Sequence, residues 1–221
     1  VTEIADNAFS SQKLENVHTI VIPNTITIIG DNAFKKCSFQ NIQFENNSNL
    51  IYIGASAFEE CRNLNSIIIP NSVSMIGTSA FKMCTGLTTI TLSASLSSFN
   101  NSILQGCDDL VNISISVDNQ HLTIVDNVIY SKNMQRLIYY PSGKTNETFN
   151  VPYEVNEILS GAIANNEHLV NLNLYNVTTL RESSIENCDN ISNVIGNYVT
   201  SVYKNVLLDT LTNTDKYKDM P

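Results

Sequence analysis

Basic side chains are scarce in this 221-residue chain. Twelve Lys and Arg stand against 21 Asp and Glu, for a formal net charge of −9 and an isoelectric point near 4.7. Neutralising phosphates takes clustered Lys and Arg, and without such clusters nucleic acid is not expected as a partner. Tryptophan is absent, and three His and five Cys leave few side chains from which to build a catalytic centre. Long apolar runs are missing as well. No stretch approaches the roughly 18 residues of a membrane-spanning helix, and no basic segment followed by an apolar one opens the chain. It starts on Val1, which reads as a mature form or an excised fragment. What the chain has in excess is asparagine, 31 residues, nearly as many as all its charged residues together, in an otherwise ordinary globular composition.

The dipeptides Ala33-Phe34, Ala57-Phe58 and Ala80-Phe81 recur at separations of 24 and 23. Each is followed by a cysteine four residues after its Ala, at Cys37, Cys61 and Cys84, and the frame continues through Ile103-Leu104 with Cys107 and Ser184-Ile185 with Cys188. Ala8-Phe9 with Gln12 and Ala162-Ile163 with Asn166 are degenerate copies, so seven turns of a repeat array are recognisable. Between anchors lies an L-x-x-I-x-I pattern, as in Leu64, Ile67, Ile69 and Leu87, Ile90, Leu92. Its alternation is that of a strand with every second side chain inward. A third apolar cluster follows, Ile26 to Gly30 or Val73 to Gly77, after which Asp31 and Thr78 are placed to cap helices. The six residues N-A-F-K-K-C or S-A-F-K-M-C then predict a helix of about one and a half turns with Phe and Cys on one face.

A coil of about 23 residues cannot bury its own apolar face and must stack on its neighbours. The expected fold is therefore α/β, a leucine-rich repeat solenoid of about 7–8 coils in a single domain over residues 1–221. A parallel sheet forms the concave side and short helices the convex side. Residues 1–117 supply coils one to five and 118–152 an insertion. Residues 153–221 form degenerate coils and a C-terminal cap with Val199, Val202, Val206 and Leu208.

The runs NSVSMIGTSAFKMCTGLTTITL (71–92), IPNTITIIGDNAFKKC (22–37) and IIIPNSVSMIG (67–77) closely resemble the BspA-like leucine-rich repeat family, strongly over 1–117 and more loosely over 153–195. The resemblance implies a surface-displayed or secreted protein of a mucosal bacterium or a protist, adhesion to host matrix proteins and cells, and no enzymatic activity. The insertion reads as a β-hairpin, with strands Thr123 to Tyr130 and Arg136 to Tyr140 around a turn at Ser131 to Met134. A similar insertion often interrupts arrays of this family.

Chemistry-bearing motifs are few. The cysteines share one inward slot without a C-x-x-C pair, so buried thiols are expected in place of zinc or redox ligands. His18, His121 and His168 have no nucleophile at a motif spacing, and Glu59-Glu60 and Asp108-Asp109 read as solvated faces. No catalytic, cofactor or metal site is expected. Six N-x-S/T sequons occur, about the number chance predicts from this composition. Alternation places Thr19 and Val21, Asn41 and Gln43, Ser66 and Ile68, Thr89 and Thr91, Asn112 and Ser114, and Asn171, Asn173 and Tyr175 on the concave wall. Of these, Val21, Gln43, Ile68, Thr91, Ser114, Asn173 and Tyr175 are candidate partner-binding residues, joined by Tyr130, Arg136 and Tyr139 of the hairpin. For the hairpin tyrosines, packing onto the solenoid is the alternative. The expected function is non-enzymatic binding of a protein or glycan on host cells or matrix. The alternative is a self-assembling module that pairs through the solenoid edge and hairpin.

Overall fold

A computed structural model describes residues 1–12, 17–196, 198, 199, 201 and 202. The chain divides after Asn127 into two compact units, each a stack of coils with parallel walls. Among the described residues they hold about eight turns, counted from a five-stranded and a three-stranded sheet.

In the first unit the L-x-x-I-x-I segments form the first wall, from β2 (Thr19–Ile22), β4 (Asn41–Phe44), β6 (Ser66–Ile68), β8 (Thr89–Leu92) and β9 (Asn112–Ile115), in that order. The register sets Ile20 on Ile42 and Ile67 on Ile90 on Ile113, so the alternate apolar residues make a continuous inward column. A second wall comes from the third apolar cluster: β1 (Glu3–Ile4), β3 (Ile28–Ile29), β5 (Tyr52–Ile53) and β7 (Met75–Ile76). The unit ends with β10 (Leu122–Val125).

The expected convex helices do not form at the A-F-x-x-C segments. Their amides alternate between two partners. Ala33, Lys35 and Cys37 N–H close local turns on Gly30, Asn32 and Phe34 carbonyls at 3.1–3.3 Å, whereas Asn32, Phe34 and Lys36 N–H donate to Ala55, Ala57 and Glu59 of the next coil at 2.8–2.9 Å. Asn32 and Lys36 take left-handed φ of 55° and 61°, as do Ser56, Glu60, Ser79 and Met83 in the following coils, which is the third position of type II turns. A helix would spend these amides on carbonyls four residues back, and six residues are too few to repay helix nucleation. Bonding to the next coil wins. One coil has a single 3-10 turn, Asn101–Leu104, capped by Asn100 Oδ1 accepting Ser102 N–H at 2.9 Å.

The cap residues likewise serve the neighbouring coil: Asp6 Oδ1 accepts Asp31 N–H, and Asp31 Oδ1 accepts Ala55 N–H, both at 2.7 Å. Gly54 is required by close approach, since a Cβ there would lie 2.5 Å from the Gly30 carbonyl carbon. Asparagine side chains also reach across coils. Asn49 Nδ2 donates to Asn24 O at 2.9 Å and Asn63 Nδ2 to Ser38 O at 3.0 Å. Glu59 and Glu60 pair with Lys35 and Lys36 of the preceding coil at 2.8 and 3.4 Å.

Two inward columns fill the lumen. Phe9, Phe34, Phe58 and Phe81 stack within 6° of parallel at centroid spacings of 5.2–5.3 Å, and Phe39 meets Phe34 and Phe58 edge-on. Beside them, all four cysteines of this unit are free buried thiols. Each Sγ–H donates to the Phe carbonyl one coil back: Cys37 to Phe9, Cys61 to Phe34, Cys84 to Phe58 and Cys107 to Phe81, at 3.0–3.1 Å. Each of these carbonyls also accepts the amide three residues on, so the thiol uses its second lone pair. Burial pushes the thiols up, Cys84 well above the usual range and Cys107 to about 12.

The expected strand from Thr123 to Tyr130 is broken at Asp126 and Asn127, both left-handed at 51° and 64°, the conformation of a tight turn. In the second unit, β11 (Val128–Ser131) and β12 (Arg136–Tyr139) form the antiparallel hairpin, with a register shift at Ile129/Tyr130. Its second strand is also a coil wall. β12 pairs in parallel with β14 (Glu157–Ile158), which pairs with β17 (Thr179–Leu180) and then β20 (Ser201–Val202). The first wall of this unit is β13 (Thr148–Asn150), β16 (Asn171–Asn173) and β19 (Asn193–Ile195), and β15 (Ile163–Ala164) with β18 (Ile185–Glu186) forms a third. Glu157 is buried between Arg136, at 3.0 Å, and Arg181.

Asn166, in a Cys slot, is fully buried and holds five backbone groups. Its Nδ2 donates to Pro141, Ser142 and Lys144 carbonyls and its Oδ1 accepts His168 and Leu169 N–H. Asn119 of the first unit does the same with Ser93, Ala94 and Leu96 carbonyls and His121 and Leu122 N–H. N-x-H-L is thus a second coil-locking motif. Val199 packs on the core of this unit and Val202 lies in β20, while the remaining expected cap residues, Val206 and Leu208, and the segment 213–221 lie outside the described residues.

Two outcomes follow from these columns. Phe58→Ala removes a ring stacked on both sides and is expected to cost about 3–5 kcal/mol in denaturant unfolding, whereas Phe9→Ala, at a half-exposed end of the stack, costs about 1 kcal/mol. The buried thiols keep their protons above the pH, about 8.5, at which an unfolded thiol loses its own. Between that pH and about 12 for Cys107 the folded state binds more protons, so stability falls as pH rises, by about 1.4 kcal/mol per pH unit for each such thiol. Urea titrations from pH 8 to 10.5 should show this slope, and a Cys84→Ala/Cys107→Ala variant a shallower one.

Candidate functional site

The outward face of the first wall carries two rows fixed by strand register. One runs Thr19, Asn41, Ser66, Thr89, Asn112, and the other Val21, Gln43, Ile68, Thr91, Ser114. Asn41 pairs with Ser66, which sets Gln43 beside Ile68 two residues on. All five residues expected here from the first unit therefore share one row. Val21 is 53% and Ile68 70% exposed, two apolar side chains in a neutral polar wall. Thr91 and Ser114 hydroxyls bond to each other at 2.9 Å.

A groove of about 680 Å³ opens on this face, lined by Gln43, Glu45, Asn47, Ile68, Pro70 and Asn71 among others. Its origin is legible in repeat length. Ile42 to Gly54 spans two residues more than Ile20 to Gly30 or Ile67 to Gly77, and the surplus lies in the loop after β4, where Asn47 takes φ 57°. Pro70 has no N–H to donate, and β4 pairs with β6 at one position against three or four at the neighbouring strand pairs. The two strands splay, and the longer loop walls the gap. Glu45 is the single charged lining residue, and its carboxylate accepts Asn24 N–H at 3.0 Å. Hydroxyls line the groove at Ser48, Ser66 and Ser72, without a histidine or a second carboxylate. Among the described residues no group of three His, Cys, Asp or Glu could hold a metal ion. The groove offers shape, apolar surface at Phe44, Ile68 and Pro70, and neutral hydrogen bonds.

On the second unit the equivalent face is an amide ladder. Asn193 Nδ2 donates to Asn171 Oδ1 at 2.8 Å, Asn171 Nδ2 to Thr148 Oγ1 at 3.1 Å, and Asn173 Nδ2 to Asn150 Oδ1 at 2.6 Å. Tyr175 O–H donates to the same Asn150 oxygen at 3.2 Å, and its ring stacks on Tyr153 at 4.6 Å. Asn173 and Tyr175 were expected on this wall; Thr148, Asn150, Tyr153 and Asn193 were not assigned to it. The signal for Thr148, Asn150 and Tyr153 was the T-F-N-V-P-Y run, which matches N-L-N-L-Y in alternation. The hairpin candidates separate. Tyr130 and Tyr139 are 1% and 6% exposed, packed inward as the alternative reading had it, and Arg136 is engaged with Glu157.

The sequence model of the BspA type leucine rich repeat region matches in six copies, over residues 2–136 and 120–214. Similar solved structures include the pneumococcal vaccine antigen PcpA, 26% identical with a TM-score of 0.68 over 89% of this chain and 56% of that one. A leucine-rich repeat protein from Eubacterium ventriosum is 22% identical, with a TM-score of 0.77 over 91% of this chain and 53% of that one. A leucine rich cell surface protein from Faecalibacterium prausnitzii is 21% identical, with a TM-score of 0.55 over 91% and 66%. The chain spans about half the length of the first two. No curated protein matches it. With both units built from stacked coils and the family pattern matched along nearly the whole length, the chain belongs to the BspA-type leucine-rich repeat family.

Proposed function

We propose that the chain is a non-enzymatic binding module of a surface-displayed or secreted protein, and that it attaches to a protein of host cells or matrix through the first-unit groove. The observation that carries this is Ile68, 70% exposed at the groove between Gln43 and Pro70. A protein segment that seats an apolar side chain on Ile68 and Pro70, and turns backbone amides toward Gln43, Asn47 and Asn71, fits both the shape and the neutrality of the groove. Interface centres combine such apolar anchors with uncharged hydrogen-bonding rims. The net charge of −9 favours a basic partner in the encounter at low ionic strength. Surface placement rests on likeness to the pneumococcal antigen and the F. prausnitzii cell surface protein.

Binding of the purified chain to immobilised matrix proteins and to cultured epithelial cells tests this reading. Ile68→Asp should weaken binding at least tenfold, an effect of about 1.4 kcal/mol or more. Because the side chain faces solvent, stability should change by only about 0.5 kcal/mol. Equal binding by the variant, or none by the wild type, overturns the proposal. Sedimentation of both proteins checks the self-assembly alternative, which requires a concentration-dependent dimer.

A further inference from the structure

We infer that Tyr153, Tyr175, Asn150 and Asn173 of the second unit form a carbohydrate-binding shelf, a site separate from the groove of the first unit and independent of the proposal made for it. The first observation is backbone strain. Tyr175 sits at φ 39° in the turn closed by Val177 N–H on Leu174 O at 2.8 Å. A ring-bearing residue rarely occupies the left-handed region, and it persists there only where the surrounding structure holds it. Elsewhere among the described residues this chain fills its left-handed bends with Asn, Ser, Asp, Lys, Glu, Met and Gly, never with an aromatic residue. Here it keeps an aromatic ring instead.

The second observation is what the ring does. It stacks on Tyr153 at 4.6 Å with an interplanar angle of 26°, and its hydroxyl is held by Asn150. Tyr153 is 65% exposed, so the pair adds little to the core and presents aromatic surface to solvent. The negative face of an aromatic ring attracts polarised C–H groups, which a pyranose displays on its apolar face.

The third observation is the hydrogen-bonding complement beside the rings. Asn150 Oδ1 is taken by Asn173 Nδ2 and Tyr175 O–H. Asn150 Nδ2 and Asn173 Oδ1 have no protein partner among the described residues, which leaves one fixed donor and one fixed acceptor. A sugar hydroxyl both accepts and donates, and it carries no charge, as these amides carry none. Phosphate or carboxylate ligands would call for Arg or Lys at the shelf.

Saturation-transfer NMR on the whole chain with cellotriose, chitotriose, mannotriose and lactose tests the inference. At least one sugar should show transfer concentrated on the protons of one ring face. Binding should fall about tenfold or more in Tyr175→Asn and in Asn150→Ala, while Tyr153→Phe, which keeps the ring, retains it. Tyr175→Asn relieves the backbone, so its Tm should be unchanged or higher. That readout separates a ligand-directed tyrosine from one that props up the fold. Absence of transfer from all four sugars, equal transfer in Tyr175→Asn, or a Tm loss of several degrees in that variant overturns the inference. Ile68→Asp should leave sugar binding intact, so failure here and failure of the groove proposal are told apart.

Discussion

Every part of this structure depends on hydrogen bonding between equivalent backbone positions one coil apart. A single coil of about 23 residues has too little apolar surface to offset the entropy of ordering it. Stacking supplies the deficit only if the coils approach closely and in register. The amide bonds along the walls set that register, and side chains that repeat at one position are brought into columns. The Phe stack, the thiol-to-carbonyl ladder and the aspartate-to-amide ladder all follow, because each joins the same slot in successive coils. The glycines at the coil corners allow the backbones to come close enough.

The same constraint shapes the outer faces. In-register strands turn any outward residue type into a row, so the first unit displays hydroxyl and amide rows interrupted by Val21 and Ile68. Where one coil is two residues longer and a proline withholds its amide, the row opens into a groove. In the second unit, amides satisfy one another along the ladder until the Asn150–Asn173 pair, where the tyrosines begin. Departures from regularity are thus the places where the surface acquires individual character, while regular coils supply a rigid scaffold for them.

Asparagine serves this architecture in three ways. It occupies left-handed bends such as Asn32 and Asn47, where its short polar side chain tolerates positive φ. It bridges neighbouring coils at the surface, as Asn49 and Asn63 do. As Asn119 and Asn166 it ties down five backbone groups inside the stack. Serine or glycine could take the first role but not the last, because only a planar amide offers donors and an acceptor on one short side chain.

The repeat, the inward isoleucines and the outward row from Val21 to Ser114 were legible in the sequence, because strand alternation has a period of two and is local. The groove was not, although the two-residue surplus before Gly54 was in plain view; that a longer loop would wall a gap depended on how β4 and β6 splay. The A-F-x-x-C segments read as helices because Phe and Cys three residues apart suit a helix and a pair of turns equally well. Which one forms was decided by the next coil, whose carbonyls accept every second amide. Likewise, the burial of Tyr130 and Tyr139 and the tie between Arg136 and Glu157 depend on β12 serving as a coil wall. The coil, its period and its inward face rest on spacing along one chain and so could be read from the order of residues. The form of the corners and the individual surface sites rest on partners roughly 23 residues away, and they took shape only when the coils stacked.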